Sequence, residues 1–519
     1  KGEGKKWYNY FRERKKTPIY YIGRRFKIYK SRSISHLDEE VVKQVFSQNR
    51  INALIFEVIT IFAFLSLSFF RNYDLFEVPA SMSIVTLLTI IAMVFGALSS
   101  WFHRWAYPMI FSCIIGMSIV SNYFDMFRYT SYAIGMDYSE NKRIEYDLKN
   151  IREQHKLYGD STESHQAIST ILNNWKTKVD SPKAKLVILN TSGGGLRSAL
   201  WTFTVLSNCD EILNQNLSKH LQMITGASGG MIGAAFYREL ILRTELGQIK
   251  DKNRSIYKEM LGKDLLNKLS FSASTSDLFM RYKKMSYQGK HYTQERGSEF
   301  EKQLHKNLKN YIEHPLGYYK KPELLGQIPL MIFSPTIVND GRRMLMSSQN
   351  LSFMIHDNAS TSYENIDYQT FFKTNSPQNI RFSTVLRANA TFPIIMPMIG
   401  LPTIPEVQLM DSGIRDNYGG KVTVDYLFAL SEWIKENTSG VVIIEIRDTK
   451  RILENEHYKQ TSLLDKITLP FGNVYRNFTR TQDLDQEQLM KLCKTSFSFP
   501  VEKITFNLRE DYNERISLS

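Results

Sequence analysis

Leu221-Gln222-Met223-Ile224-Thr225-Gly226-Ala227-Ser228-Gly229-Gly230-Met231-Ile232-Gly233-Ala234-Ala235 is the stretch whose pattern fixes the fold class. It reads as an apolar strand over 221–225, a glycine turn over 226–230 and a helix over 231–242 rich in small residues. Within it, Gly226-Ala227-Ser228-Gly229-Gly230 matches G-x-S-x-G. Glycines are needed there because the serine sits on a strained strand-to-helix bend where a neighbouring Cβ would clash. The bend places the serine oxygen at the amino end of a helix, whose dipole favours a developing anion. With Gly and Ser each near ~7% of residues, chance alone supplies the motif in roughly one chain in six of this length. The strand before it and the helix after it are therefore what give it meaning.

The same strand–turn–helix unit occurs upstream. Leu186-Val187-Ile188-Leu189 runs into Asn190-Thr191-Ser192-Gly193-Gly194-Gly195, and a helical stretch follows over 196–206. Repetition of the unit predicts an α/β fold, with further strands at 328–334, 407–410 and 441–446. Between 250 and 325 a Lys-, Tyr- and Glu-rich stretch has helical spacing and reads as an insert. Gly193, Gly194 and Gly195 bare three successive N–H groups ahead of a helix, which makes a nest for an anion. One reading is a phosphate cradle. The other is an oxyanion hole for acyl transfer, worth about 3 kcal/mol per donor. A helix-packing glycine run is the bland alternative. The Gly-Lys-Ser/Thr of a P-loop and the G-x-G-x-x-G of a dinucleotide fold are both absent. Arg197, on the first helical turn, either braces the loop or touches a phosphate headgroup.

Asp411-Ser412-Gly413-Ile414-Arg415-Asp416-Asn417 is the third element. An acid just after the strand at 407–410 can reach a serine at another strand's end. A triad in the order Ser, Asp, His leaves only His457, in the polar stretch Glu454-Asn455-Glu456-His457-Tyr458, where it reads as a solvated surface residue. A Ser228–Asp411 dyad explains the residues better. It needs Asp411 as base, and an ordinary Asp near pKa ~3.9 is a poor one. Burial beside Met410 and Ile414 is expected to raise it.

These three elements, in this order, resemble the patatin-like phospholipase family, which is itself similar to cytosolic phospholipase A2. The family's G-G-G-x-R-G loop corresponds to Gly193-Gly194-Gly195-Leu196-Arg197, with Ser198 where Gly is usual. Its nucleophile motif, with Gly226 and Gly230 flanking Ser228, matches in full. Its Asp-Gly-Gly/Ala motif matches at Asp411 and Gly413, with Ser412 in the middle, and the Asn six residues on matches at Asn417. Arg387-Ala388-Asn389-Ala390-Thr391-Phe392-Pro393, with Pro397, resembles the Ala- and Pro-containing stretch before the Asp. The resemblance covers roughly 183–450. It implies a three-layer α/β/α domain, a Ser–Asp dyad without histidine, no cofactor, and hydrolysis of phospholipid acyl esters.

The 519 residues carry 66 Lys plus Arg against 52 Asp plus Glu, a formal charge of +14. Hydrophobic residues at 43% and charged residues at 23% exclude a disordered or collagen-like chain. A mean hydropathy of −0.30 excludes a mostly membrane-embedded protein. Cys113, Cys209 and Cys493 have no metal-ligand spacing and form no disulfide framework. No metal site is expected. The first residue is Lys, so a longer translated product is expected.

Residues 1–50 hold 14 Lys/Arg against 5 Asp/Glu and so carry +9 of the net charge. A basic arm binds nucleic acid or anionic lipid. Three apolar runs follow, 51–70 with only Glu57 charged, then 78–102 and 105–124 without charge. Each is long enough to cross the ~30 Å hydrocarbon layer as a helix. Trp101, Trp105 and Tyr107 sit at run ends, as interfacial rings do. A buried helical core is the alternative. A secretory signal is not expected, because the first run starts some 50 residues in. Glu57 is read as pairing with Arg50 or snorkelling.

The expected organisation is a basic membrane-surface segment (1–50), three transmembrane helices (51–124), a helical linker (125–180) and an α/β catalytic domain (181–519) with its insert at 250–325. The basic arm is expected to lie on anionic lipid headgroups and not on nucleic acid, with the N-terminus cytoplasmic. Membrane phospholipids are the expected substrate. A homo-oligomer or membrane complex is compatible with this plan. A lipid acyltransferase using the same acyl-serine, and a catalytically silent membrane scaffold, are the competing readings.

Overall fold

Leu186–Thr191 and Leu221–Gly226 are each six residues long and buried throughout, the pattern of strands covered on both faces. In the computed structural model they lie at the middle of a five-stranded sheet. The described residues are 20–23, 27–30, 32, 36, 38–67, 78–102, 105–124, 131–159, 161–249, 254–277, 281, 283–355, 363–392, 395–449 and 463–508. Residues 1–19, His103, Arg104, Pro393 and His457 lie outside them.

The chain forms two units, 1–64 with 88–111, and 65–87 with 112–519. Toward the N-terminus are helices α1 (Glu39–Leu67), α2 (Ala80–Phe102) and α3 (Ala106–Tyr123). Residues 51–67 of the first apolar run form the second half of α1, which begins among charged residues. Among the described residues one helix, Ala80–Ser99, is long and apolar enough to cross a membrane, and a shorter apolar helix covers Ala106–Ser121. Of the three apolar runs, 78–102 alone forms a helix of that length and apolarity among the described residues. Met82, Ile84, Val85, Leu88 and Ile91 on α2 are exposed.

The body continues with α4 (Ser161–Val179), β1 (Leu186–Thr191), α5 (Gly195–Ile212), β2 (Leu221–Gly226), α6 (Ser228–Glu245), α7 (Arg296–Asn307) and β3 (Leu330–Phe333). It closes with α8 (Phe382–Ala388), β4 (Gln408–Met410), α9 (Gly420–Ala429), β5 (Val441–Arg447), α10 (Leu463–Ser496) and β6 (Val501–Asn507). The sheet order is β6-β5-β1-β2-β3, every pair parallel. All carboxyl ends therefore share one edge, with Ile446 opposite Thr191 and Thr191 opposite Gly226. That edge is where open parallel sheets place their sites.

Alternation along the strands divides two cores. Val187, Leu189, Ile224 and Ile446 face α5 and α6, with Phe203 and Phe236. Leu186, Ile188, Met223 and Ile443 face Leu172 and Trp175 of α4, Leu427 of α9 and Met490 of α10. Helices thus cover both faces of the sheet. Five other short strands and β4 form a six-stranded mixed sheet beside it.

The stretch 125–180 differs from the expected linker. Ser131–Tyr132 pairs in parallel with Ile399–Gly400, and Ile144–Glu145 with Thr403–Ile404. The Ile168, Ile171, Leu172 and Trp175 side chains of α4 complete the second core. Its mixed charges lie on outer faces, which is why it reads as solvated. The described part of 250–325 holds helices, among them α7, and an antiparallel hairpin, Lys284–Tyr287 with Lys290–Thr293. Its helix α7 is fastened to α8 by Glu301. That carboxylate accepts from Arg387 Nε (2.7 Å) and from the Ser383 and Thr384 hydroxyls. Fully buried Arg387 also reaches Glu295 at 3.1 Å. A buried pair of this kind is costly to break on one side only.

Small residues let α5 and α6 touch backbone to backbone. A Cβ on Gly229 would lie 1.8 Å from Gly195 O, and one on Gly233 would lie 2.1 Å from Ala199 O. These positions are one helical turn apart, on one stripe of α6. Gly233→Ala is expected to destabilise the body by at least about 2 kcal/mol through overpacking. Gly262→Ala, whose Cβ would meet nothing nearer than 3.9 Å, is expected to stay within about 0.5 kcal/mol of the parent. Chemical unfolding of both variants checks the contrast.

Candidate active site

Gly226 ends β2 at φ 146°, and a Cβ there would lie 2.2 Å from the Thr191 carbonyl oxygen of β1. Ala227 follows in extended conformation. Ser228 then takes φ 50° as the first residue of α6. A left-handed serine is strained by about 1–2 kcal/mol and persists only where its surroundings hold it. The surroundings here are specific. Ala227 N–H donates to Thr191 O (3.0 Å) and Ser228 N–H to Asn389 O (3.0 Å). Asn389 Nδ2 donates to Gly226 O (3.0 Å), and Asn389 Oδ1 accepts from Ser334 N–H (3.1 Å). Asn389, delivered by α8, thus buttresses the bend from below.

Asp411 follows β4 and is 4% exposed. Its N–H donates to Thr391 O (3.0 Å), and its carbonyl accepts from the Thr336 hydroxyl (3.1 Å). Its Oδ1 accepts from Gly413 N–H at 2.7 Å. Burial pushes the Asp411 carboxyl up to about 6, against the opposing pull of that Gly413 bond and of a hydrogen-bonding interaction with the Ser228 side chain. Ser228 is tied to Asn389 O and Asp411 to Thr391 O, so the same short segment makes the serine and the acid neighbours.

The glycine loop closes the third side. A Cβ on Gly193 would lie 3.4 Å from Ser228 Cβ and 2.7 Å from Asn417 Oδ1, and one on Gly413 would lie 2.9 Å from Asp411 Oδ1. Three segments remote in sequence converge within a few ångströms. One detail differs from expectation: Gly193 N–H is already donated to Asn417 Oδ1 at 3.1 Å. It is spent on joining two loops. Gly194 and Gly195 open α5, where helical N–H groups lack intrahelical partners, and theirs take none among the described residues. Gly230 has a spacing role, because a Cβ there would lie 2.4 Å from Ser192 O.

Arg197 is paired with Asp448. Its Nη2 lies 2.6 Å from Asp448 Oδ2. Asp448 packs on the loop so closely that a Cβ on Gly194 would lie 2.2 Å from that oxygen, and its N–H donates to Ser192 Oγ (3.0 Å). Ser198 and Ser412, which stand where glycines are usual in the motifs, are both buried. Ser198 Oγ donates to Ser192 O (2.7 Å) and Ser412 Oγ to Gly226 O (3.3 Å). Each hydroxyl pins a loop carbonyl. Asp448 and Asn389 were not singled out from sequence. The signal for Asp448 was its place one residue past β5, on the carboxyl edge that carries the other groups.

No family model matches the chain, and no curated protein does. Among solved structures it is similar to human GIVD cytosolic phospholipase A2, at 9% identity and a TM-score of 0.25. The match covers 59% of this chain and 48% of that one, so the chain spans about half of that structure's length. Likeness at this level specifies neither fold nor chemistry.

Proposed function

We propose that the chain is a serine-dependent lipid acyl hydrolase held in a membrane, with Ser228 as nucleophile and Asp411 as general base. The observation that carries this is Ser228, in a left-handed bend at a helix amino end, beside a buried Asp411 whose carboxyl is raised to about 6. Ser228 Oγ attacks the ester carbonyl carbon while Asp411 takes its proton. The Gly194 and Gly195 N–H groups donate to the oxyanion, and the dipole of α6 favours the same charge. The ester C–O bond breaks, and the alcohol leaves with the proton from Asp411. Water, giving its proton to Asp411, then attacks the acyl-serine; the C–O bond to Ser228 breaks, Asp411 returns the proton to Ser228 Oγ, and the acid is freed.

A carboxyl at about 6 is mostly ionised at pH 7.5 and is a stronger base than one at its ordinary value. kcat/KM is therefore expected to rise with pH along an acid limb centred near 6, where an unperturbed Asp would centre it near ~4. A pH series of fatty-acid release from phospholipid vesicles by the full chain checks this; a limb near ~4 would contradict a base with a raised carboxyl. An uncovered apolar α2 supports the membrane reading, since a bilayer supplies the solvent its side chains lack. The three spans, the cytoplasmic N-terminus and the binding of residues 1–50 to anionic headgroups belong to the same proposal. Anchoring would present lipid to Ser228 at high effective concentration.

A further inference from the structure

Helix α10 turns three polar side chains toward the acid loop and its neighbours. Gln482 Oε1 accepts from Asn417 N–H (2.8 Å), and its Nε2 donates to Gly413 O (2.8 Å) and Ile414 O (3.2 Å). Both ends of the amide are thus spent on the segment that carries Asp411. Asp483 Oδ1 pairs with Arg447 Nη2 at 2.5 Å, which also donates to Tyr418 Oη. One turn on from Gln482, Gln486 Nε2 donates to Glu445 Oε2 (3.3 Å) and its amide fills the space beside Gly420. Spacing of i and i+4 puts Gln482 and Gln486 on one face.

The residue that Gln482 grips by its backbone is the one that reaches across. Asn417 Oδ1 accepts Gly193 N–H at 3.1 Å. A continuous path runs from Gln482 through Asn417 to the glycine loop, and from Gln482 through Gly413 to the Asp411 carboxylate. Gly193 gives up its N–H as an oxyanion donor to serve this path. We propose that Gln482 is a positioning residue that holds the acid loop in register with the glycine loop, so that Asp411, Ser228 and the Gly194 and Gly195 N–H groups meet one ester. This rests on the hydrolase reading for its catalytic consequence, and on the hydrogen bonds alone for its structural one.

Gln482→Met keeps length and volume and removes all three bonds. Gln486→Met is the control, since it weakens the same helix face without touching the acid loop. In the full chain in phospholipid vesicles, Gln482→Met is expected to lower kcat about tenfold or more with KM unchanged, the size expected for one or two lost hydrogen bonds. Hydrogen exchange should quicken in peptides covering 192–197 and 411–418. Gln486→Met should lower the melting temperature comparably with neither effect. Unchanged exchange in both peptides of Gln482→Met, or equal kcat losses in the two variants, would overturn the proposal. If the wild type shows no Ser228-dependent activity, the hydrolase reading fails, and the exchange comparison still decides the clamp.

Discussion

Ser228→Ala is expected to release no fatty acid above background from phospholipid vesicles, a fall of about 10⁴-fold or more in kcat. Removing Oγ removes the atom that bonds to the acyl carbon, and the remaining loop donors cannot form an acyl-enzyme. The backbone needs nothing from that oxygen. Ser228 N–H keeps its bond to Asn389 O, and alanine at φ 50° bears strain similar to serine's. Melting temperature and membrane insertion should therefore be near those of the parent. A scaffold with a silent α/β domain would show no dependence on residue 228. Fatty-acid release measured beside vesicle flotation separates the two.

Asp411→Asn carries the second large effect, and it has opposite signs for activity and stability. Loss of the base is expected to lower kcat about 10³- to 10⁴-fold at pH 7.5. Stability should move the other way. The Asp411 carboxyl is raised by burial from its ordinary 3.8 to about 6, so the fold prefers its protonated form. Its contribution to stability is fully present below about pH 4 and is lost as pH rises through about 6. Above that the native state holds a buried charge at a cost of about 2–3 kcal/mol. Asparagine stays neutral and can still accept from Gly413 N–H. Asp411→Asn should thus melt a few degrees higher than the wild type at pH 8, with the gap closing by pH 4. Thermal melts at the two pH values check this; an equal gap at both would deny that the carboxyl is the group responsible.

The parts of the site that sequence disclosed are those written in consecutive residues. Gly226, Gly229, Gly230, Gly193 and Gly194 lie in turns where each meets backbone or a neighbouring loop, so local pattern and tertiary need coincide. Asp411 was legible because it follows a short apolar strand. What was hidden depends on packing between distant segments. Gln482 sits in an amphipathic helix and resembles any solvated glutamine until α9 and the acid loop lie against it. Asp448 gains its meaning only when β5 pairs with β1 and brings it onto Gly194. The occupation of Gly193 N–H by Asn417 could not be read from a run of glycines, which shows only that donors are bare. Residues 125–180 read as a helical linker because charges are frequent among them, while Ile168, Ile171 and Trp175, spaced for one helix face, enter the core. The edge strand β6 passed unnoticed because charges interrupt its apolar residues, as suits an edge.

The central claim is that one serine and one carboxylate form a working pair, and covalent labelling tests it most directly. The full chain in vesicles is exposed to a fluorophosphonate ester at pH 7.5, and the adduct is mapped by peptide mass. One adduct per chain is expected, on Ser228, absent in Ser228→Ala and formed at least about 100-fold more slowly in Asp411→Asn. No adduct at Ser228 in the wild type, or labelling of Asp411→Asn at the wild-type rate, would contradict it.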